Sequence, residues 1–220
     1  MMTLYMTPGS CSTGIHILME ELELVFSAHV LNLPAGDGQK PEYLAINPKG
    51  TIPTLVLDDG TVLTDFVAIA WWLAQRWPRR GPLSEGLLSE GLLPEGLAEQ
   101  AVALDRLNYL VGSLHGHGFT RIFTTERYLL HDGDRETIER QGRTLVMKGF
   151  HQVANWLAES DGPLFYQQLS VLDAALFYNE FWAVRLGMTL PDACQAHYDA
   201  MIRRPVVKQV LLEEGYRALQ

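Results

Sequence analysis

Residues 51–64 have the sequence TIPTLVLDDGTVLT, in which two apolar runs are joined by Asp-Asp-Gly. Asp-Gly between two such runs is a strong hairpin signal, because a tight turn between strands needs positive φ angles that glycine adopts readily. Pro53 cannot donate to a sheet ladder, so it belongs at the start of the first strand. The segment therefore predicts an antiparallel hairpin of Thr54–Leu57 and Thr61–Thr64.

The residues before this hairpin alternate between strand and helix patterns. Thr3–Met6 is short and apolar and stops at Pro8-Gly9, which predicts a buried strand followed by a turn. Apolar residues then recur at helical spacing, at Ile15, Leu18, Met19 and Leu22. Phe26–Leu33 returns to strand character, and residues 34–41 are too rich in Gly and Pro for regular structure. The pattern predicts a β-α-β unit with parallel strands.

The segment after the hairpin completes the first domain. Asp65 is the expected N-cap of a helix through Val67–Ala74, and the resulting order, β-α-β-β-α, is that of a thioredoxin fold. We place this domain at residues 1–80. A five-residue repeat of low complexity then runs through residues 84–97, and we interpret residues 81–97 as a linker.

The remainder of the chain, residues 98–220, has helical periodicity and few strand signals. Its candidate helices are 98–116, 121–131, 134–160, 170–186, 191–203 and 205–214. Short connections between them predict antiparallel neighbours in a bundle. The predicted fold class is α/β plus all-α, a thioredoxin-like N-terminal domain followed by a helical-bundle C-terminal domain.

Composition argues against several classes of partner and location. The net charge of −9 disfavours nucleic acid, because phosphate contacts need clustered Lys and Arg. The longest apolar run, Phe66–Ala74, is far shorter than the roughly 18–20 residues that span a bilayer. The N-terminus has no secretory signal pattern, and two cysteines, Cys11 and Cys194, make no disulfide framework. We therefore expect a cytoplasmic protein with two free thiols and no membrane partner.

The first candidate for chemistry is Cys11, between the first strand and the first helix. Unpaired N–H groups and the dipole at a helix N-terminus favour an anion and lower a thiol pKa. The alternative is that Cys11 is only a small buried side chain. Two-thiol exchange is excluded because residues 11–14 are Cys-Ser-Thr-Gly instead of Cys-x-x-Cys. If the Ile52–Pro53 bond is cis, the Ile52 backbone turns outward and can pair with an extended peptide.

Three motifs together resemble the glutathione transferases: residues 5–12 (YMTPGSCS), 47–55 (NPKGTIPTL) and 63–69 (LTDFVAI). The cysteine in the first motif and Asn108–His115 point to the bacterial beta class. Ser170–Ala174 matches the family's N-capping box, in which Ser170 accepts from the N–H of Asp173 and Asp173 reaches back. The resemblance covers almost the whole chain and implies a transferase with glutathione as co-substrate.

The resemblance also implies a set of site residues in the first domain. Cys11 faces the glutathione sulfur, with which it can form a mixed disulfide, and Ser10 is the neighbouring hydroxyl. Ile52, held by a cis Pro53, pairs through its backbone with the cysteinyl unit of glutathione. Asp65 binds the γ-glutamyl ammonium group, either directly or at the edge of its site.

The helical domain contributes Asn108 and His115 to the same implied site, Asn108 across a dimer interface. His115 also lies near His117, but no carboxylate or cysteine at ligand spacing accompanies them, so no metal is expected. Members of the family are usually homodimers, and we expect the same here. Three tryptophans either supply apolar area near that interface or pack the sheet against the helices: Trp71, Trp72 and Trp77.

Two positions depart from the family's pattern. Phe66 stands where the family has Ser or Gly, so its N–H can still donate to the γ-glutamyl carboxylate but a hydroxyl contact is lost. Residues 34–36 replace a lysine that beta-class enzymes place after the second strand, and Gln39 or Lys40 are the available substitutes. Both departures predict altered glutathione binding.

Three functions remain open from the sequence. The first, which we expect, is conjugation of the glutathione thiolate to a small hydrophobic electrophile, with a role in detoxification. An apolar cleft for the electrophile has three candidate lining residues, although an aromatic stripe is core more often than pocket: Phe119, Phe123 and Tyr128. The second function is glutathione-dependent thiol-disulfide exchange or peroxidase activity through Cys11. The third is a non-catalytic binding or scaffold protein, favoured by Phe66.

Overall fold

The computed structural model describes residues 1–77 and 91–216, and it contains two compact units. Over the described parts of these ranges, the first unit is Met1–Pro94 with Met201–Gln220, and the second is Glu95–Ala200. The last helix groups with the first unit because it packs against the first helix. This division differs from the predicted helical domain at 98–220. Residues 81–90 of the predicted linker lie outside the described residues.

The first unit contains a four-stranded mixed sheet. Its elements along the chain are β1 (Met2–Met6), α1 (Ser12–Glu21), β2 (Phe26–Val30), α2 (Pro41–Leu44), β3 (Thr54–Val56), β4 (Val62–Thr64) and α3 (Phe66–Arg76). The strand order is β2-β1-β3-β4, with β1 parallel to β2 and antiparallel to β3. Leu55 lies opposite both Leu4 and Leu63, so all three strands present an apolar residue at the same level. The predicted β-α-β unit and hairpin are confirmed.

The segment between β2 and β3 is more regular than predicted. Strand β2 ends at Val30 instead of Leu33, although the Leu31 N–H still donates to the Met6 carbonyl at 2.8 Å. A 3₁₀ turn then covers Asp37–Gln39, and α2 begins at Pro41. Proline is well suited to the first helical position, because the N–H that it lacks has no partner there. The expectation of an irregular loop over residues 34–41 is therefore wrong for Asp37–Gln39 and for Pro41.

The second unit is helical. Its elements are α4 (Leu97–Asn108), a π-helical segment (Tyr109–Phe119), α5 (Thr120–Phe123), α6 (Arg135–Leu157), α7 (Val171–Arg185) and α8 (Asp192–Arg203), and α9 (Pro205–Glu213) follows in the first unit. The π-helical segment packs closely on α6 because glycines lie at the contact. A Cβ on Gly118 would be 2.8 Å from Val146 Cγ2, and one on Gly149 would be 2.6 Å from Leu114 Cδ1.

Helix α7 begins with the predicted capping box and is buried along most of its length. The Ser170 Oγ accepts from the N–H groups of Leu172 and Asp173, and Asp173 Oδ2 accepts from the Ser170 N–H at 2.7 Å. Asp173 also reaches His197 of α8, whose other ring nitrogen lies 2.7 Å from Glu180 Oε2. All three side chains of this second network are fully buried. Among the described helices, none is long and apolar enough to cross a membrane.

Candidate functional site

The β1–α1 turn, residues 7–12, is held by its own hydroxyl groups. Ser12 is fully buried; its Oγ accepts from the Thr7 N–H and donates to the Thr7 carbonyl, both at 3.1 Å. The Ser10 Oγ lies 2.6 Å from the Ser12 Oγ and accepts from the Ser12 N–H at 3.1 Å. Ser10 therefore lies at the N-terminus of α1, as predicted, but its hydroxyl already has partners within the turn.

Cys11 occupies the N-cap position of α1, and the residue is buried, with 8% exposure. Its Sγ donates to the Ile52 carbonyl oxygen across 3.7 Å. Burial raises the pKa of the Cys11 thiol to about 12, against smaller lowering effects of the backbone N–H groups of Cys11 and Ser12. The expectation that the helix N-terminus lowers this pKa is wrong, because the loss of hydration outweighs the helix-end N–H groups. Cys11 is therefore a neutral thiol at pH 7.

The Ile52–Pro53 peptide bond is cis, as the resemblance implied. The preceding backbone is fixed by the buried Asn47, whose Nδ2 donates to the Thr51 carbonyl at 2.8 Å and to Thr54 Oγ1 at 3.0 Å. Within residues 1–77 and 91–216, the Ile52 N–H makes no hydrogen bond. This backbone donor is therefore available to a peptide ligand.

Asp65 precedes α3 with a positive φ of 69°, and its side chain makes no capping hydrogen bond. The carboxylate instead forms an ion pair with Lys49. The prediction that Asp65 is the N-cap residue of α3 is confirmed, but its side chain does not cap the helix. Sequence reasoning missed Lys49, although it lies inside the quoted Asn-Pro-Lys-Gly motif. Lys40, one of the substitutes considered for the missing lysine, pairs with Asp37 at 2.7 Å.

Phe66 is the first residue of α3, and its ring is buried in the core of the first unit at 2% exposure. The first N–H groups of a helix have no intrahelical acceptor. The Phe66 ring therefore belongs to the core of the first unit and does not lie exposed at the start of α3.

The two site residues predicted from the helical domain lie in the second unit. Asn108 is exposed at the end of α4, and His115 lies in the π-helical segment with its Nδ1 3.2 Å from the Tyr178 hydroxyl. Burial lowers the pKa of His115 to about 4, so the ring is neutral at pH 7. Phe119 is fully buried and packs on Trp182, with 5.2 Å between ring centroids. Of the two alternatives left open from the sequence, pocket or core, Phe119 therefore belongs to the core.

Similarity to known proteins identifies the family of this chain. A family model described as the glutathione S-transferase N-terminal domain matches residues 9–76. Glutathione S-transferase GstA of Escherichia coli O157:H7 is 31% identical, over 98% of this chain and 100% of that protein. The chain belongs to the glutathione S-transferase family. Glutathione S-transferase GST-4.5 of Xanthomonas campestris is 28% identical over 97% of the chain and 99% of that protein.

Solved transferase structures agree with this assignment. A glutathione transferase homologue from Sulfitobacter, crystallised with bound glutathione, has a TM-score of 0.84 at 26% identity and 99% coverage of both chains. The beta-class transferase of Sphingomonas chungbukensis has a TM-score of 0.79 at 26% identity, over 98% of this chain and 100% of that one. The predicted resemblance to bacterial glutathione transferases, the enzyme class and the fold class are confirmed.

Within the first unit, the transferase fold brings together two of the predicted site residues. Cys11 and Ile52 meet directly, and the charge of Asp65 contributes to the raised pKa of Cys11. Asn108 and His115 belong to the second unit. Among the described residues, one group has its candidate metal-ligand atoms within 4.8 Å of one another, and it consists of His16, Glu20 and Glu213. The absence of a metal remains a prediction.

Proposed function

We propose that this family member conjugates the thiolate of glutathione to small hydrophobic electrophiles. The observation that carries the proposal is the contact between Cys11 Sγ and the Ile52 carbonyl oxygen, 3.7 Å apart. It places a backbone edge that suits a peptide beside the N-terminus of α1, where N–H groups stabilise negative charge. A cysteine-containing tripeptide paired with Ile52 then has its sulfur close to that helix end.

Each part of glutathione has a proposed partner. The backbone of Ile52, beside Pro53, pairs with the cysteinyl unit, and the N-terminus of α3 at Phe66 binds the γ-glutamyl carboxylate. Asp65 binds the ammonium group, which competes with its ion pair to Lys49. Asn108 and His115 are proposed as ligands from the helical unit, His115 as a neutral ring because its pKa is about 4.

The proposed reaction is a nucleophilic substitution or addition. Glutathione releases its thiol proton to water, and the thiolate sulfur forms a bond to the electrophilic carbon. In a substitution, the leaving group departs with the electron pair of the broken bond. Each unit by which the site lowers the pKa of the bound thiol corresponds to about 1.4 kcal/mol of thiolate stabilisation. Cys11 remains a neutral thiol and, when glutathione binds, turns its single proton from the Ile52 carbonyl to the bound sulfur, and Ser10 supplies a hydroxyl nearby.

The raised pKa of Cys11 weakens the second candidate, disulfide exchange or peroxidase activity, because the thiolate is the attacking species in such chemistry. The buried Phe66 ring weakens the third, a non-catalytic scaffold, because the ring belongs to the core of the first unit and is not displayed at the surface. Conjugation needs neither a Cys11 thiolate nor an exposed Phe66 ring, so it is the function that the geometry favours.

The decisive experiment combines turnover and spectroscopy. We expect chloride release from an activated aryl chloride that depends on both the protein and glutathione. We also expect the ultraviolet absorbance of a thiolate in the saturated complex at pH 7. Absence of turnover across aryl halides, epoxides and enones, together with a protonated bound thiol, would contradict the proposal.

A homodimer and a cytoplasmic location are part of the same proposal. Trp72 and Trp77 are half-buried within the chain and meet edge to face, with 5.4 Å between their centroids. Together with the half-buried Trp71, they leave apolar surface that a second copy can cover. Sedimentation velocity tests this, and a species of about 25 kDa at micromolar concentration would contradict the homodimer.

A further inference from the structure

Glu214 follows α9, and its buried carboxylate reaches the β1–α1 turn within the first unit. Its side chain is 1% exposed. The Oε2 atom accepts from the Gly9 N–H and from the Thr13 hydroxyl, both at 2.7 Å, and Oε1 lies 3.0 Å from His16 Nδ1. One carboxylate thus ties together the turn and the first two helical turns of α1.

The residues after Glu214 add a second contact with the same turn. Gly215 has a φ of 86°, which reverses the chain so that the Tyr216 hydroxyl donates to the Pro8 carbonyl at 3.4 Å. Gly9 has a φ of 69°, and a Cβ there would lie 1.9 Å from the Tyr216 hydroxyl oxygen. The turn and the C-terminal segment are therefore closely fitted, and only glycine is accommodated at residue 9.

The orientation of the turn determines where the N-terminal N–H groups of α1 point. Gly9 is directly followed by Ser10, whose N–H donates to the Thr7 carbonyl and whose carbonyl accepts from the Thr13 N–H. Movement of Gly9 therefore moves Ser10 and Cys11, the residues proposed to face the glutathione sulfur. Glu214 holds Gly9 and Thr13, one on each side of them.

We propose that Glu214 is a positioning residue for glutathione activation, acting through the β1–α1 turn; this rests on the proposed function. It touches neither Cys11 nor Ser10 and exerts its effect through the Gly9 N–H and the Thr13 hydroxyl. A displaced helix end stabilises the thiolate less well, because hydrogen bonds to an anion weaken steeply with distance and angle. Loss of Glu214 therefore raises the pKa of the bound thiol.

The test compares Glu214→Gln with Glu213→Gln. Glutamine keeps the size of Glu214 but brings an amide donor against three groups that now face a carboxylate. Glu213 is the matched control, because it is 46% exposed and lies 3.3 Å from the other nitrogen of His16. Among the described residues, its carboxylate makes no hydrogen bond to the turn.

In Glu214→Gln we expect kcat/KM for glutathione to fall about tenfold at pH 6.5, with the pH–rate profile of kcat/KM shifted about one unit higher. Glu213→Gln keeps the wild-type profile. A lower melting temperature in Glu214→Gln with an unchanged thiol pKa and unchanged kcat/KM would overturn the proposal, because Glu214 would then be purely structural.

Two further measurements apply if Glu214→Gln does not fold or if the wild-type protein does not ionise glutathione. If Glu214→Gln fails to fold, Thr13→Val removes one donor from the same carboxylate; a shift of the thiol pKa in the same direction supports the proposal, and an unchanged pKa overturns it. If the wild-type protein binds glutathione without ionising it, the proposed function fails independently. Amide exchange at Gly9 then decides: faster exchange in Glu214→Gln but not in Glu213→Gln supports the positioning role, and equal exchange overturns it.

Discussion

Cys11 Sγ and the carbonyl oxygen of Ile52 lie 3.7 Å apart, so the thiol uses its proton as a hydrogen-bond donor. Burial opposes ionisation and raises the pKa of this thiol to about 12. The thiolate in the proposed reaction is consequently that of glutathione, and Cys11 is a neutral neighbour. A single substitution at residue 11 can therefore distinguish conjugation, which needs no Cys11 thiolate, from disulfide exchange, which does.

Cys11→Ser is expected to retain conjugation within about threefold, because a hydroxyl is also a neutral donor of similar size. Any glutathione-dependent disulfide exchange through residue 11 is expected to disappear, because serine cannot form a mixed disulfide. The two activities are measured side by side with an aryl chloride and a small disulfide. Cys194→Ser, in which the other buried thiol is replaced, is the control and should leave both unchanged. A hundredfold loss of conjugation in Cys11→Ser would contradict the neutral-donor role.

Phe66→Ala is expected to lower the free energy of unfolding by about 3–5 kcal/mol, because it empties a fully enclosed site in the core of the first unit. Urea denaturation followed by tryptophan fluorescence measures the loss. Phe123→Ala is the comparison, since that ring is 49% exposed and its removal should cost less than half as much. Equal losses in the two variants would show that the Phe66 ring contributes no more than a surface ring.

Asn47→Ala is expected to destabilise the protein by about 1–3 kcal/mol and to raise KM for glutathione about fivefold. The amide is fully buried and holds the Thr51 carbonyl, so its loss leaves a buried acceptor unpaired and loosens the backbone before Ile52. Denaturation and steady-state kinetics give the two values. Asn32→Ala removes an exposed side-chain contact with the Ala35 N–H and should change both by much less. An unchanged KM in Asn47→Ala would show that this amide has no role in glutathione binding.

The buried network of Asp173, Glu180 and His197 is expected to make stability fall in alkaline solution. Burial alone would lower the pKa of His197, but the carboxylates of Glu180 and Asp173 together raise it to about 9. The unfolded-state pKa of histidine is about 6.5. The stabilisation of the fold by the protonated His197 is therefore complete below pH 6.5 and is lost as pH rises through 9. The difference between these two pKa values corresponds to about 3 kcal/mol in the free energy of unfolding.

Urea titrations between pH 6 and 10 measure this loss. Residue 197 cannot gain or lose a proton in His197→Gln, so its stability should be lower at pH 6 and the loss centred near pH 9 should be absent. A wild-type slope that persists in His197→Gln would assign the alkaline loss to other groups.

The features that sequence predicted correctly are those set by local patterns. The hairpin around Asp58-Asp59-Gly60 and the Ser170 capping box each depend on residues a few positions apart. The family motifs predicted the cis Pro53 and the placement of Cys11 at a helix end. Each of these could be inferred because the residues that determine the structure are also neighbours in the sequence.

The features that sequence missed depend on distant parts of the chain. The pKa of Cys11 is governed by burial, which a turn motif does not reveal. Asp65 is the N-cap residue of α3 as expected, but the partner of its side chain is Lys49, sixteen residues earlier. The contact between Glu214 and Gly9 spans 205 residues and has no signal in either segment alone. Tertiary proximity decides the chemistry in all three cases.

The contact between Glu214 and Gly9 also bears on biosynthesis. A ribosome synthesises Gly9 205 residues before Glu214. In a nascent chain that has emerged only as far as α8, the β1–α1 turn lacks the carboxylate that holds it. The β1–α1 turn therefore acquires its carboxylate anchor only after translation has passed Glu214.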